Sequence, residues 1–309
     1  MIKQIITYSI ITVSLLFTLQ WAVLEGLRKN EAGIYQKYTT AFLKPNTYTT
    51  LMIGSSRMFM HLDNQLFDSI TGANSYNIGV PGATVRLAYV CLKSYCVNSI
   101  KPKQLFLELD YHISHLTTDT IYNFSTFFPY LANPELYHQL CNIDHRFVQF
   151  KYNPLYSLPY LGINSLSASL NGWFHQTGHY DHYFKNGFFR NELSDDANTV
   201  DAVNDKSVIS QETKSYLDST ITFCSANQIK LYFTISPAYK DVLKGSHHQS
   251  VIHQFNAIAL KQGIHTFDLS SDTSICNHKN YFEDNYHMLY SGAVLYTRKV
   301  ANDYNNIKP

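Results

Sequence analysis

TYTTLMIGSSR, residues 47–57, changes character at Gly54. Up to Ile53 the run is β-branched and apolar without clean polar alternation, which is the pattern of a strand covered on both faces. Gly54-Ser55-Ser56 then stops the strand where a helix can begin. Working outward, SYNIG (75–79), QLFLELD (104–110), LYFTI (231–235) and His265–Leu269 read as further strands. Between them, Ala83, Leu87, Val90, Cys91, Tyr95 and Val97 fall at helical spacing over 83–99, and helices are expected over 213–228, 249–262 and 291–303. Strands alternating with helices imply a parallel sheet with helices on both faces, joined by right-handed crossovers.

The chain has 309 residues, of which 45% are hydrophobic and 15% charged, so it carries a sizeable core and is not a disordered chain. Lys and Arg number 24 against 23 Asp and Glu, a net charge of +1 with no basic run, which argues against a nucleic-acid partner. Cys91, Cys96, Cys141, Cys224 and Cys276 are an odd set without a C-x-x-C pair, so neither a disulfide framework nor a zinc site is expected.

Ile5–Leu24, IITYSIITVSLLFTLQWAVL, holds no charged residue. A helix of that length spans about 30 Å, the thickness of a bilayer's hydrocarbon core. Trp21 lies where an interfacial aromatic belongs, and no small-x-small cleavage site follows. An uncleaved signal anchor is the first reading; a removed signal peptide and a buried core helix are the alternatives. Lys3 on one side and Arg28 and Lys29 on the other leave the orientation undecided by charge. The expected organisation is a membrane helix over 1–28, a linker with a lead-in helix over 29–46, and a single domain over 47–309.

Within that domain, about 116–200 breaks the alternation. It is dense in aromatics (NFSTFFPYL, KYNPLYSLPYL, WFHQTGHYDHYFKNGFF) and reads as an insertion placed at the carboxyl end of the sheet. Its rings suit either stacking on sugars or a small core of their own. His175, His179 and His182 have metal-like spacing, but Gly178 argues against one helix face, and no metal is expected.

Three short blocks fall at strand ends: Ile53-Gly54-Ser55-Ser56-Arg57, Asn77-Ile78-Gly79-Val80-Pro81-Gly82-Ala83, and Asp284-Asn285-Tyr286-His287 before the last helix. A serine hydroxyl needs a base to become a nucleophile, and a base needs a partner to orient it. Together the blocks resemble the SGNH/GDSL hydrolase superfamily over roughly 47–110 and 205–303. The resemblance implies a three-layer α/β/α sandwich on a flavodoxin-like sheet, with Ser56 as nucleophile, His287 as base and Asp284 as its orienting acid. It implies an oxyanion N–H at Gly82, with Asn77, Gly79, Arg57 and Asp110 as further oxyanion or substrate contacts, and no cofactor.

Ser55 stands where the superfamily usually has Asp, and the strand end Glu108-Leu109-Asp110-Tyr111 lacks the usual Gly-x-Asn-Asp. A carboxylate donates no hydrogen bond unless protonated, so Asp110 is read as structural or substrate-binding. Arg57 is expected to pair with Asp110 or Glu108, or to hold an anionic group. Ser236-Pro237, after the fourth strand, is expected at the same end of the sheet. Gly-Ser-Ser variants resemble the membrane-anchored branch that includes alginate O-acetyltransferases and the D-alanyl transfer protein of teichoic acids. That resemblance implies an extracytoplasmic O-acyltransferase or esterase acting on an acylated cell-envelope glycan, with a membrane-bound O-acyltransferase as partner. The alternative is a non-catalytic carbohydrate-binding or assembly protein on the same fold.

Overall fold

The computed structural model describes residues 1–111, 121–178, 181–192, 208–241 and 246–308. In chain order, helices α1 (Ile2–Lys29) and α2 (Gly33–Phe42) precede strand β1 (Thr50–Ile53). Helices α3 (Ser56–His61) and α4 (Asn64–Thr71), strand β2 (Ser75–Asn77), helix α5 (Val85–Asn98) and strand β3 (Gln104–Glu108) follow. Helices α6 (Pro134–Ile143), α7 (Arg146–Tyr152), α8 (Pro154–Ser157) and α9 (Ile163–Phe174) come next. The hairpin β4 (Phe184–Lys185) and β5 (Phe188–Phe189) leads to α10 (Gln211–Ala226), β6 (Lys230–Ile235), α11 (Ser246–Gln262) and β7 (His265–Asp268). Helices α12 (Thr273–Cys276) and α13 (Tyr290–Ile307) complete the order.

The described residues within 45–118 and 183–309 form one compact unit. It is built on a parallel five-stranded sheet in the order β2-β1-β3-β6-β7. With the hairpin set aside this is the flavodoxin-like order, so the expected α/β architecture is the one observed. Register places Met52 beside Phe106 and Phe106 beside Tyr232. Those side chains meet Phe67 of α4 and Tyr296, Val300 and Tyr304 of α13 in one buried cluster. Leu51, Leu105 and Leu231 alternate to the opposite face, where α5 packs against β1 and α10 against β6. Phe106 is the centre of the α13-side core, with ring centroids 4.9 Å from Tyr232, 5.2 Å from Phe67 and 5.7 Å from Phe267.

The strand expected from Thr47 begins at Thr50, because Thr49 N–H and Thr50 N–H both turn to the Asn74 carbonyl. The second and third strands likewise stop at Asn77 and Glu108, short of the expected Gly79 and Asp110.

The described residues within 1–44 and 119–182 form the other unit. Here the aromatic stretch makes a core of its own. Tyr38 of α2 stacks on Phe127 at 5.4 Å, Phe128 lies 4.5 Å from Phe150, and the Tyr130 hydroxyl donates to the Tyr35 carbonyl at 2.7 Å. The start of α1 is exposed, whereas Gln20, Val23, Gly26 and Leu27 are buried. Gln20 Nε2 donates to Ser157 Oγ at 2.8 Å, Trp173 Nε1 to the Ala22 carbonyl at 2.9 Å, and Asn30 Nδ2 to the Ala168 carbonyl at 2.9 Å.

Replacing a ring at the centre of the sheet's core leaves a cavity that its stacked neighbours cannot fill. Phe106→Ala is expected to lower unfolding free energy by about 3–5 kcal/mol, read by chemical denaturation.

Candidate functional site

Ser56 opens α3, a helix of six residues. Ser55 caps it, its Oγ accepting from Arg57 N–H at 3.2 Å. As first residue of a helix, Ser56 has a backbone N–H with no carbonyl inside the helix to bond. Asn77 at the end of β2 holds the helix from the side: its Nδ2 donates to the Met58 carbonyl at 2.7 Å and the Leu62 carbonyl at 3.1 Å. Its Oδ1 accepts from Gly79 N–H at 2.8 Å. Gly79 packs so closely that a Cβ there would stand 2.4 Å from Phe59 N. Asn77 and Gly79 are therefore buried supports of α3 rather than surfaces offered to a ligand. Gly82 lies on an exposed turn with φ +71°, two residues past Val80, whose N–H bonds the Gly54 carbonyl at 2.9 Å.

The third block closes on the first. Ser56 Oγ lies 2.8 Å from His287 Nε2, and His287 Nδ1 lies 2.7 Å from Asp284 Oδ2. The other Asp284 oxygen accepts from Tyr286 N–H and His287 N–H, both at 2.7 Å. Burial pulls the Asp284 carboxyl up, but the His287 hydrogen bond and charge and those two N–H groups outweigh it, holding it down at about 2. An ionised Asp284 fixes the proton on Nδ1, which leaves Nε2 with a lone pair toward Ser56.

Behind Ser56 sits a group of buried acids. Ser55 Oγ lies 3.0 Å from Glu108 Oε2 and 3.1 Å from Asp110 Oδ2, and Ser55 N–H donates to Glu108 at 3.3 Å. One hydroxyl proton serves one carboxylate at a time. Burial, then the charge of Asp110, raises the Glu108 carboxyl, against the pull of Arg57 and Ser55. A protonated Glu108 donating to Ser55 Oγ frees that hydroxyl's own proton for Asp110. Asp110 is thus buried against the helix cap, in a structural setting. Arg57, also buried, sends Nη2 to the carbonyl oxygens of Ser236 and Pro237, the latter at 2.9 Å. Its described hydrogen bonds run to that loop and to neither Glu108 nor Asp110, so the loop after β6 supports α3 from beneath.

His61 and Asn191 carry parts of the arrangement that sequence reasoning missed. His61 Nε2 accepts from Met288 N–H at 2.9 Å, so the ring's proton sits on Nδ1 and goes to Ser236 Oγ at 2.9 Å. Burial, followed by the charges of Arg57 and His287, lowers its pKa well below 6.5, and the neutral ring is the form that can accept. On the other side, Asn191 Nδ2 donates to Glu283 Oε2 at 2.7 Å and its carbonyl accepts from Tyr290 N–H at 2.6 Å. Of the three spaced histidines, His175 ends α9 in the left-handed region and His182 is exposed, while His179 falls outside the described residues. Among the described residues no group of three or more His, Cys, Asp or Glu side chains is placed to hold a metal.

No family model and no curated protein matches the chain. Among solved structures it is similar to a Bacteroides fragilis protein described as a "putative acylhydrolase", at 14% identity and TM-score 0.42, covering 88% of this chain and 96% of that one. It is also similar to a Desulfitobacterium hafniense protein described as a "putative lipolytic protein of G-D-S-L family", at 6% identity and TM-score 0.42, covering 82% and 98%. Likenesses this distant assign no role to any residue.

Two outcomes follow. His61→Leu leaves the buried Met288 N–H without its acceptor and is expected to cost about 1–3 kcal/mol in a denaturation experiment. A carboxyl held at about 2 against an ordinary 3.8 contributes stability that is complete above pH 4 and disappears as pH falls toward 2. Asp284→Asn is expected to flatten that part of the stability profile measured by unfolding at stepped pH.

Proposed function

We propose that this chain performs serine-dependent chemistry on acyl esters, with Ser56 as nucleophile. The observation that carries the reading is the continuous hydrogen-bond line from Ser56 Oγ through both nitrogens of His287 to Asp284, at 2.8 and 2.7 Å. In the first step Ser56 Oγ bonds to the acyl carbon while its proton passes to His287 Nε2. Collapse of the tetrahedral intermediate breaks the ester bond, and the leaving oxygen takes that proton. The acyl group is then carried on Ser56 Oγ. Water activated by His287 would release it as an acid; a sugar hydroxyl activated in the same way would receive it. The Ser56 N–H and the backbone at Gly82 are the donors proposed for the developing oxyanion.

The substrate proposed is an acylated cell-envelope glycan, and the site is proposed to work outside the cytoplasm from a membrane anchor, with a membrane-bound O-acyltransferase as partner. The glycan, the partner and the side of the membrane rest on the resemblance of the Gly-Ser-Ser-Arg block. The anchor has structural support: α1 is long and apolar enough to cross a membrane, and its last turns are hydrogen-bonded into the core of the first unit. Removing residues 1–24 would strip Gln20 and Val23 from that core.

Incubation of the full chain with p-nitrophenyl acetate is expected to acetylate Ser56, located by peptide mass spectrometry. Ser56→Ala and His287→Ala are expected to lower turnover at least about 1000-fold while the circular dichroism spectrum is kept. Undiminished turnover in Ser56→Ala would remove the nucleophile assignment. A folded protein with no adduct would favour the carbohydrate-binding reading.

A further inference from the structure

Helix α9, INSLSASLNGWF, contains no charged residue, and its two sides differ in size rather than in charge. Ser165, Ala168, Ser169 and Gly172 fall on one side of the wheel, and Ile163, Leu166, Leu170 and Phe174 on the other. The small side meets α1. A Cβ on Gly172 would stand 1.9 Å from the Gly26 carbonyl oxygen, so the two backbones are in direct contact there. Close packing through Gly, Ala and Ser is how helices associate where no hydrophobic force drives them together. Among the described residues the large side is mostly uncovered: Ile163 is 78% exposed, Leu166 38%, Leu170 57% and Phe174 68%. An uninterrupted stripe of this kind marks a surface with a partner.

Where the stripe lies indicates which partner. α9 seats on α1 between Ala22 and Asn30, next to the exposed apolar run that ends at Leu19. At that junction Trp21 and Trp173 lie 6.1 Å apart, and Lys29 Nζ stands 3.7 Å over the Trp173 ring. Tryptophan and lysine at the end of an apolar helix belong to the headgroup level of a bilayer. α9 runs antiparallel beside α1, Trp173 meeting Ala22 and Ala168 meeting Asn30, so its Phe174 end is nearest the apolar run and its Ile163 end lies about 16 Å further along the helix.

We propose that α9 is an interfacial helix at its Phe174 end, where Phe174 and Leu170 insert into the outer acyl region beside the emerging α1, so that lipid covers that end of the stripe. The inference rests on the anchor reading and adds to it a second point of membrane contact for the first unit.

The test uses the full chain in phosphatidylcholine vesicles carrying brominated acyl chains, with acrylamide as the aqueous quencher. Trp21 and Trp173 are the only tryptophans, so Trp173→Phe makes Trp21 the sole reporter of the anchor. Trp21→Phe with Trp173→Phe and Leu170→Trp places a single reporter on the stripe. Quenching of both reporters by bromine near the headgroup, with loss of acrylamide quenching, is the expected result. Bromine quenching at position 21 with full acrylamide quenching at position 170 would overturn the interfacial helix and keep the anchor. Protection of position 170 from both quenchers would overturn it in favour of a second copy covering the stripe. Acrylamide quenching at both positions, with protein that does not float with the vesicles, would overturn the anchor and the inference with it.

Discussion

A helix of six residues has no stability of its own in water, and Ser56 stands at the start of one. Everything that fixes the serine's position is therefore tertiary. Asn77 holds two carbonyls of the helix, Gly79 admits its backbone, and Arg57 ties it to the loop after β6. His61 then reaches from the helix to the residue after His287, so the element that carries the hydroxyl also positions the chain that carries the imidazole. The buried acids behind Ser55 belong to the same scheme. Two carboxyl groups around one hydroxyl are tolerable only when they share protons, and burial makes that sharing favourable. The cluster acts on the cap of α3, one residue from the serine.

Much of the sheet could be read from the chain because a strand buried on both faces needs a continuous apolar run, and LMI, LFL and LYFTI satisfy that need locally. Helix α4 escaped notice because eight residues give too few turns for a periodicity to stand out. Ser56, Asp284 and His287 stood out as residue types at strand and helix ends, and the structure brings their side chains within hydrogen-bond reach of one another. His61 was not legible. Its partners Ser236 and Met288 are 175 and 227 residues away, and a lone histidine within RMFMH carries no local sign of either. Asp110 and Arg57 were legible as unusual, but their burial against the helix cap and the β6 loop depends on the sheet register, which no local pattern encodes.

The aromatic stretch makes the same point from the other side. Its composition left open whether the rings would face a ligand or one another. Tyr38 of α2 and Phe127 stack across 89 residues of chain, and Phe128, Phe147 and Phe150 are almost wholly buried. The region is a hydrophobic core in which rings pack with buried leucines such as Leu136 and Leu140, and the end of α1 contributes Val23 and Leu27 to the buried set.

The interleaving of the two units has a kinetic consequence. The first unit draws on residues 1–44 and 119–182, and the second resumes at 183. On a ribosome the first unit has all of its chain before β6 and β7 are synthesised, since domains tend to fold in the order they emerge. Ser56 is made early, while His287 lies 231 residues further on. The hydroxyl consequently waits through most of translation beside a half-built sheet, and its imidazole partner arrives only with the loop before α13. A chain cut between residues 183 and 286 would hold every residue of the first unit and a Ser56 without its His287 partner. If Ser56 acts as proposed, that order keeps its chemistry silent until the whole chain is made.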